Sequence, residues 1–218
     1  MSTPFGKATV FIHSEGNYVV LPRHGATHAT PPHGINYRAN IAALEQLGIT
    51  KIIATSAVGS MNREFGVGEI GLADQFLDFT KMRRATFFEK EVIHTDMTQP
   101  YSERLNSELL SSAQKSRLKV RPGLVYVCTE GPRFETAAEI KMYKALGGDV
   151  VGMTGVPEVV LANEKGLEYA SVLVATNWAT GMQARVSQEE VIKVMKYTGN
   201  AVKRLIDTTV EALRGKRD

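Results

Sequence analysis

Short apolar segments rich in β-branched residues recur along the chain, and they predict the strands of a sheet. They lie at residues 18–21 (YVVL), 51–55 (KIIAT), 124–128 (LVYVC), 149–153 (DVVGM) and 170–176 (ASVLVAT), with a further strand predicted at 69–79 (EIGLADQFLDF). Their apolar residues occupy both alternating faces, which is typical of strands that other elements cover on both sides.

Helical patterns occupy the intervals between these strands and the C-terminal part of the chain. They lie at residues 36–48, 102–116, 136–148, 157–166 and from 187 to about 213. The segment at 136–148 begins with a capping box, in which Thr136 caps the helix and Glu139 reaches back to the Thr136 amide. Ser187 and Glu190 predict a second capping box at the start of the last helix.

Strands that alternate with helices predict an α/β fold. We expect a single domain over residues 1–218, with a mostly parallel (mixed), twisted central sheet flanked by helices. The sequence contains no internal repeat, low-complexity segment or linker that would divide it. Ligands of such sheets bind beyond the carboxyl ends of the strands, so the residues that follow each strand are the functional candidates.

The composition is that of an ordinary globular protein, with 43% hydrophobic residues, 22% charged residues and a net charge of +3. This charge is too small and too dispersed to indicate nucleic-acid binding, and the basic cluster at 81–84 (KMRR) is interpreted as a solvated surface loop. A single cysteine, Cys128, excludes an internal disulfide and is expected in the core. Without a membrane-spanning run or a signal-peptide pattern, we expect a cytoplasmic protein that binds no membrane.

Residues suited to ligand binding or catalysis follow five of the predicted strands. They are Arg23, His24 and His28, then Ser56, Ala57, Gly59 and Ser60, then Phe134 and Glu135, then Thr154 and Gly155, and finally Asn177 and Trp178. An arginine with hydroxyls and turn amides suits an oxyanion such as phosphate. An aromatic ring, a carboxylate and a primary amide suit a flat heterocycle. Together they predict an enzyme that acts on a nucleotide or nucleoside.

Each of these residues taken singly also has a structural interpretation. The alternatives are a surface ion pair for Arg23, a core position for Phe134, a turn for Asn177 and a helix cap for Thr154. His24 and His28 suit polar loop positions as well, and no third ligand stands at metal-binding spacing, so no metal site is predicted. Glu135 has no evident structural role, because Glu139 supplies the capping box. The coincidence at successive strand ends favours the functional interpretation.

Five longer motifs carry a resemblance to a known family. They are LPRHGATHATPPHGINYRANIAAL, TSAVGS, EGPRFETAAE, VGMTGVPEVVLANEKGLEYA and ATNWATG. In this order they resemble the trimeric purine nucleoside phosphorylase and methylthioadenosine phosphorylase family, from about residue 3 to the last helix. The resemblance implies a nucleoside phosphorylase-like fold and phosphorolysis of purine nucleosides to the base and a (5-substituted) ribose 1-phosphate. It also implies inorganic phosphate as co-substrate, no cofactor, and a homo-oligomer that is a trimer or a dimer of trimers.

The resemblance also assigns roles to individual residues. Phosphate binding falls to Arg23, His24, Ser56, Ala57 and Thr154, ribose binding to Met153, base binding to Phe134, Glu135 and Asn177, the neighbouring subunit's 5′ pocket to His94, and a 5′-side position to Gln188. Asn177 and His24 are the implied catalytic residues. The implied mechanism is largely dissociative, because phosphate stabilises a ribose with oxocarbenium character while Asn177 stabilises negative charge on the purine.

The same resemblance implies a preference for 6-oxopurines. Members that act on 6-aminopurines have an aspartate where Asn177 stands, since a carboxylate accepts from both N7–H and the amino group. Glu135 would accept from the N1–H that a 6-oxopurine has, and leaving it unpaired against adenine costs about 1–3 kcal/mol. Inosine, guanosine and methylthioinosine stay open as substrates, and a methylthioadenosine phosphorylase is the alternative.

One feature of the family is absent from the sequence. Members begin with a strand and a GGSG or GGTG loop that holds phosphate, whereas this sequence begins with MSTPFGKATV and contains no such motif. We expect either a truncated sequence or a chain without that strand and loop, and the latter predicts weak phosphorolysis and an exposed sheet edge. A catalytically impaired purine-binding protein is therefore the alternative of another class.

Overall fold

A computed structural model describes residues 1–14 and 18–215 of the chain. The strands are β1 (Ser2–Thr3), β2 (Gly6–Lys7), β3 (Phe11–Ile12), β4 (Val19–Val20), β5 (Lys51–Ser60), β6 (Ile70–Phe79), β7 (Val120–Thr129), β8 (Val150–Gly152) and β9 (Glu168–Trp178). The α-helices are α1 (Tyr37–Gln46), α2 (Glu103–Lys115), α3 (Ala137–Ala145), α4 (Glu158–Glu164) and α5 (Gln188–Arg214). The helices and the strands β5 to β9 confirm the existence of the elements predicted from the sequence. Strands β5 and β9 continue through Ser60 and Trp178, however, so the candidate residues expected after these two strands lie within them.

Strands β5 to β9 form one mixed sheet that closes into a barrel, in the order β5-β8-β7-β6-β9. Strands β5 and β9, β6 and β7, and β7 and β8 are parallel, whereas β5 and β8, and β6 and β9, are antiparallel. The predicted mixed α/β architecture is confirmed. Closure was not predicted, because it depends on strand tilt and stagger rather than on the hydrophobic pattern.

Strand β9 shows why the strands have apolar residues on both faces. Every residue from 169 to 177 is buried. One face of the strand, which includes Leu173, packs in the barrel core with Tyr126, and the other packs with Leu109 and Leu205 under α2 and α5. A strand covered on both sides has no solvent face on which polar residues would alternate.

The two predicted capping boxes have different outcomes. In α3, Thr136 Oγ1 accepts from the Glu139 amide at 3.1 Å, and Glu139 Oε2 accepts from the Thr136 amide at 2.7 Å, which confirms the box. In α5, Ser187 Oγ accepts from the Glu190 amide at 3.2 Å. The Glu190 carboxylate accepts from Gln183 Nε2 at 2.8 Å, so the described contacts give only the serine half of the second box.

The structure corrects the prediction that residues 18–21 form a strand of the central sheet. Within the described part of the chain, Val19–Val20 pair with Phe11–Ile12 alone, in a small antiparallel sheet outside the barrel. Two residues of pairing and partial exposure are too little to insert into the barrel, although the β-branched composition is that of a strand. The turn with Arg23 therefore follows a peripheral strand, not a barrel strand.

The interpretation of residues 81–84 as a solvated loop is wrong for Arg83. Its side chain is 3% exposed, and its guanidinium donates to the carbonyls of Thr129, Glu130 and Val156 and pairs with the Glu130 carboxylate. Carbonyls at loop ends need donors when buried, and arginine offers five N–H groups in a planar arrangement. Arg83 thus stabilises the loops after β7 and β8.

Three further features of the fold concern Cys128, the edges of β5 and the apolar character of the helices. Cys128 is fully buried, as predicted, and burial raises the pKa of its thiol to about 11. Over residues 51–58, β5 pairs with β9 on one edge, and no strand in the described ranges pairs with its other edge. Among the helices built from described residues, none combines the length and the apolar character needed to cross a bilayer.

Candidate active site

Arg23 is a buried cation held by a carboxylate. Its Nε and Nη2 donate to Oε2 and Oε1 of Glu158, both at 2.7 Å, and Nη1 donates to the Thr55 carbonyl at 3.0 Å. Burial disfavours the charged guanidinium, but the Glu158 carboxylate more than offsets this, so the pKa of Arg23 is raised. An arginine has five N–H donors, so two remain without a hydrogen bond to the described residues and can bind an anion.

Glu158 is a site residue that the sequence analysis missed. It is the first residue of α4, is 4% exposed, and also accepts from the Tyr169 hydroxyl at 2.8 Å. Acidic residues are common in the first turn of helices, so the sequence offered no reason to single it out. Only the tertiary structure, which brings Glu158 to Arg23 across 135 positions of sequence, shows its role.

Ser56 and Thr154, predicted as phosphate ligands, lie next to each other. Their hydroxyl oxygens are 3.4 Å apart although the residues are 98 positions apart in sequence. Both are buried, and α4 has no side-chain cap, so the alternative role of Thr154 as a helix cap is wrong. Because Arg23 binds the carbonyl of Thr55, the residue before Ser56, these three predicted phosphate residues belong to one region.

Tyr126 supports the turn that presents Thr154. Its buried hydroxyl oxygen accepts from the amides of Thr154 and Gly155, both at 3.2 Å. A Cβ atom on Gly152 would come within 2.6 Å of that oxygen, and one on Gly155 within 2.7 Å of the ring. Glycines therefore let the backbone pass close to the phenol of Tyr126. The sequence shows the glycines but not that Tyr126 is the residue they pack against.

His24 lies in the same turn as Arg23, and its Nδ1 is 2.8 Å from the Thr30 carbonyl. A carbonyl only accepts, so Nδ1 carries a proton and Nε2 is the ring atom left for a ligand. Burial lowers the pKa of His24, which favours the neutral ring, and the neighbouring ring of His28 lies 4.4 Å away between centroids. Neutral His24 thus presents an acceptor nitrogen to a ligand hydroxyl.

Glu135 follows the turn after β7 and is 7% exposed. Its Oε1 accepts from the Thr129 hydroxyl at 2.7 Å. Burial raises the pKa of the Glu135 carboxyl, and the hydrogen bond from Thr129 acts in the opposite direction. Phe134, beside it, is 39% exposed, so the alternative of a core position is wrong and its ring is accessible to a ligand.

A cleft of about 240 Å³ adjoins Glu135. It is lined by Phe79, Lys81, Thr129, Glu130, Gly131, Arg133, Glu135, Glu139 and Tyr143. Neither Asn177 nor the Ser56–Thr154 pair lines it, so the cleft borders the Glu135 side of the predicted site and does not span it.

The turn after β7 packs against Met153. Gly131 has a positive φ of 63°, and a Cβ atom there would lie 2.6 Å from Met153 Sδ. Only glycine fits both constraints without strain. Met153 therefore packs against the turn that leads to Glu135 and is the chain neighbour of Thr154.

Asn177 lies in β9 and is 4% exposed, so its alternative role as a turn residue is wrong. Its Oδ1 accepts from the Thr176 hydroxyl and its Nδ2 donates to the Trp178 carbonyl, both at 2.9 Å. It is paired with Gly59 of β5, where a Cβ atom would lie 3.1 Å from Nδ2. One N–H and one acceptor position of the amide remain for a ligand.

Two predicted residues are not brought to this region within the chain. His94 lies in the exposed loop between β6 and α2, and Gln188 is an exposed residue at the start of α5. No hydrogen bond joins either side chain to the other predicted site residues in the described ranges. In those ranges the structure also contains no group of three His, Cys, Asp or Glu side chains arranged for a metal ion.

Residues 1–211 match the family model described as "Phosphorylase superfamily". The 6-oxopurine nucleoside phosphorylase of Pyrococcus furiosus is 44% identical, over 100% of this chain and 86% of its own. A Methanothermobacter thermautotrophicus protein named "Probable S-methyl-5'-thioinosine phosphorylase" is 44% identical, over 97% of this chain and 75% of its own.

Structural similarity points to the same family. A structure of the methylthioadenosine phosphorylase from Schistosoma mansoni, in complex with adenine, superposes with a TM-score of 0.94. Its identity is 33%, and the match covers 100% of this chain and 85% of that one. With a family model that matches nearly the whole sequence, relatives above 40% identity and the same fold, this chain belongs to the phosphorylase superfamily.

Proposed function

We propose that this protein cleaves 6-oxopurine nucleosides with inorganic phosphate, releasing the free purine and a ribose 1-phosphate, which is 5-methylthio-substituted if the substrate is methylthioinosine. The carrying observation is the buried Glu135 carboxylate at the base side, together with an amide and not a carboxylate at Asn177. A carboxylate accepts from the N1–H of a 6-oxopurine and meets only a lone pair on N1 of adenine. Relatives named for 6-oxopurine and methylthioinosine phosphorolysis support this choice.

Four hydrogen-bond donor groups suited to phosphate support this part of the proposal. Arg23 keeps two free donors, and the Ser56 and Thr154 hydroxyls lie 3.4 Å apart. Backbone groups two residues apart in a strand face the same edge, so the Ala57 amide is directed to the edge at which Arg23 binds the Thr55 carbonyl. Hydroxyls, a guanidinium and a strand amide together form a shell suited to a tetrahedral oxyanion.

In the proposed reaction the C1′–N9 bond breaks, and a phosphate oxygen forms the new bond to C1′. Phosphate held by Arg23, Ser56 and Thr154 stabilises the positive charge of the ribose, and Met153 packs beneath that ring. The free N–H of Asn177 donates to the 6-oxo group, and its free acceptor position accepts a hydrogen bond from N7–H once the leaving purine anion has taken a proton from solvent at N7. Phe134 contacts the face of the base. These contacts are positioning and electrostatics, so no cofactor is required.

The 5′ side is proposed to be completed by a neighbouring subunit. His94 is exposed and forms no hydrogen bond with the other predicted site residues in the described ranges. This is compatible with a role across a subunit interface. We also propose that the protein forms a trimer or a dimer of trimers, with Gln188 near the 5′ group. A cytoplasmic location is proposed as well.

The second candidate function is phosphorolysis of methylthioadenosine. The observation in its favour is the high TM-score to a methylthioadenosine phosphorylase bound to adenine. That relative is 33% identical, whereas relatives named for 6-oxopurine nucleosides reach 46%. A similar backbone does not identify the few side chains that select a base. We therefore base the choice of substrate on Glu135 and Asn177 rather than on the TM-score.

A phosphate-dependent activity panel tests the proposal. The purified protein is incubated with inosine, guanosine, methylthioinosine or methylthioadenosine, with and without phosphate, and released base and sugar phosphate are quantified. We expect phosphate-dependent release from the 6-oxopurine substrates. Faster release from methylthioadenosine than from methylthioinosine would establish the second candidate. Purine binding by calorimetry without any turnover would instead establish a purine-binding protein.

A further inference from the structure

We propose that Thr129 is a specificity-determining residue, whose hydroxyl holds Glu135 as an ionised acceptor and so sets the discrimination between 6-oxo- and 6-aminopurines. This inference rests on the proposed function and extends it to a residue outside the set of base-contacting side chains. Thr129 acts through Glu135, so its role is positioning.

The contact between the two residues is short and buried. Thr129 is the last residue of β7 and is 7% exposed, as is Glu135. The Thr129 hydroxyl lies 2.7 Å from Glu135 Oε1 and 3.4 Å from its other acceptor, the Gly152 carbonyl. A hydroxyl has one proton, and the closer, charged acceptor takes it. Oε1 is thereby occupied, which leaves Oε2 to face a ligand.

Side chains other than Thr129 do little to keep Glu135 ionised. The charged and titratable ones are Lys81, Glu130, Arg133, Glu139 and Tyr143. Arg133 donates to both oxygens of Glu139 at 2.8 Å, so their opposite effects on Glu135 largely cancel. Glu130 accepts from the amide of Lys81 and from Arg83, so it is engaged elsewhere.

The effect of burial is opposed by two hydrogen bonds, one from the Thr129 hydroxyl and a smaller one from the backbone amide of Glu135 itself. Burial raises the pKa of Glu135, and the hydrogen bond from Thr129 is the largest influence in the opposite direction. The ionised form accepts from N1–H of hypoxanthine or guanine. The protonated form would instead donate to the bare N1 of adenine. Discrimination between the two base classes thus depends on the ionisation that Thr129 supports.

The test compares Thr129→Val, which keeps the shape and removes the hydroxyl, with Thr129→Ser, which keeps the hydroxyl. For each protein, kcat/KM is measured for inosine and adenosine between pH 5 and pH 9. In Thr129→Val we expect the inosine-to-adenosine ratio at pH 7 to fall by about tenfold or more, given the strength of hydrogen bonds to charged groups. The acidic limb of the inosine profile should also move to higher pH, while Thr129→Ser stays close to the wild type.

An unchanged ratio and an unchanged pH profile in Thr129→Val would overturn the proposal, as would a serine variant that behaves like the valine variant. Thermal melting of all three proteins separates this effect from a loss of folding, which would lower activity on both substrates at every pH. Should the wild type lack turnover, the proposed phosphorolysis fails, and Thr129 is then tested by calorimetry. In that case hypoxanthine binding should weaken relative to adenine in Thr129→Val, and equal binding ratios would overturn the inference.

Discussion

Glu158 binds Arg23 through two parallel hydrogen bonds of 2.7 Å, with both side chains nearly excluded from solvent. This geometry fixes the plane of the guanidinium, so the two remaining donors of Arg23 have a defined direction. A buried pair of this kind is costly to break, because removal of one partner leaves the other charge uncompensated.

We predict that Glu158→Gln destabilises the protein by about 3–5 kcal/mol and raises the KM for phosphate more than the KM for nucleoside. Glutamine keeps the shape but lacks the charge that offsets the burial of Arg23. Thermal unfolding and steady-state kinetics with phosphate varied provide the measurement. Glu168→Gln is the matched control, since that glutamate pairs with Arg104 near the surface. Equal losses in the two variants would contradict a special role for the Arg23 pair.

Tyr126→Phe should leave two buried amides, those of Thr154 and Gly155, without their acceptor. We expect a loss of about 1–3 kcal/mol per unsatisfied group and a higher KM for phosphate, because the turn that presents Thr154 loses its support. Tyr101→Phe, which removes a phenol oxygen elsewhere in the same core cluster, is the control. If both variants keep the wild-type KM for phosphate, Tyr126 has only a packing role.

The amide of Asn177 is predicted to determine the choice between base classes. Asn177→Asp should shift the kcat/KM ratio towards 6-aminopurines, because a carboxylate accepts from both N7–H and a 6-amino group. The variant also places an oxygen against the Trp178 carbonyl, where Nδ2 now donates, at a cost of about 1–3 kcal/mol in stability. The measurement is the ratio for inosine and adenosine, with melting temperature as a control. An unchanged ratio in a folded variant would contradict the proposed base recognition.

Stability should depend on pH through Glu135. Its pKa is raised in the folded protein by burial, so the unfolded chain loses the proton first as pH rises. The resulting destabilisation is absent below the unfolded pKa of about 4.3 and is complete above the folded value. We therefore expect Glu135→Gln to melt at a higher temperature than the wild type near pH 8, with the difference shrinking towards pH 4.5. A difference that is constant across this range would argue against a buried, ionisable Glu135.

The sequence predicted most elements because their causes are local. Apolar runs predicted β5 to β9, and the Thr136–Glu139 box marked the start of α3. It assigned residues 18–21 to the wrong sheet, because strand propensity does not name a partner. It also took Arg83 for a surface residue, since the carbonyls that Arg83 binds belong to loops far along the chain.

For the candidate site, the sequence by itself supplied the residue types: a cation, hydroxyls, a ring, a carboxylate and an amide after successive strands. Only the tertiary structure decided how these are held, and it did so through partners distant in sequence. Glu158 at the start of α4 reaches Arg23, which follows the peripheral strand β4, and Thr154 after β8 reaches Ser56 within β5. Contacts of this kind depend on how elements far apart in the sequence pack together, which is a property of the whole chain and leaves no local pattern in its residues.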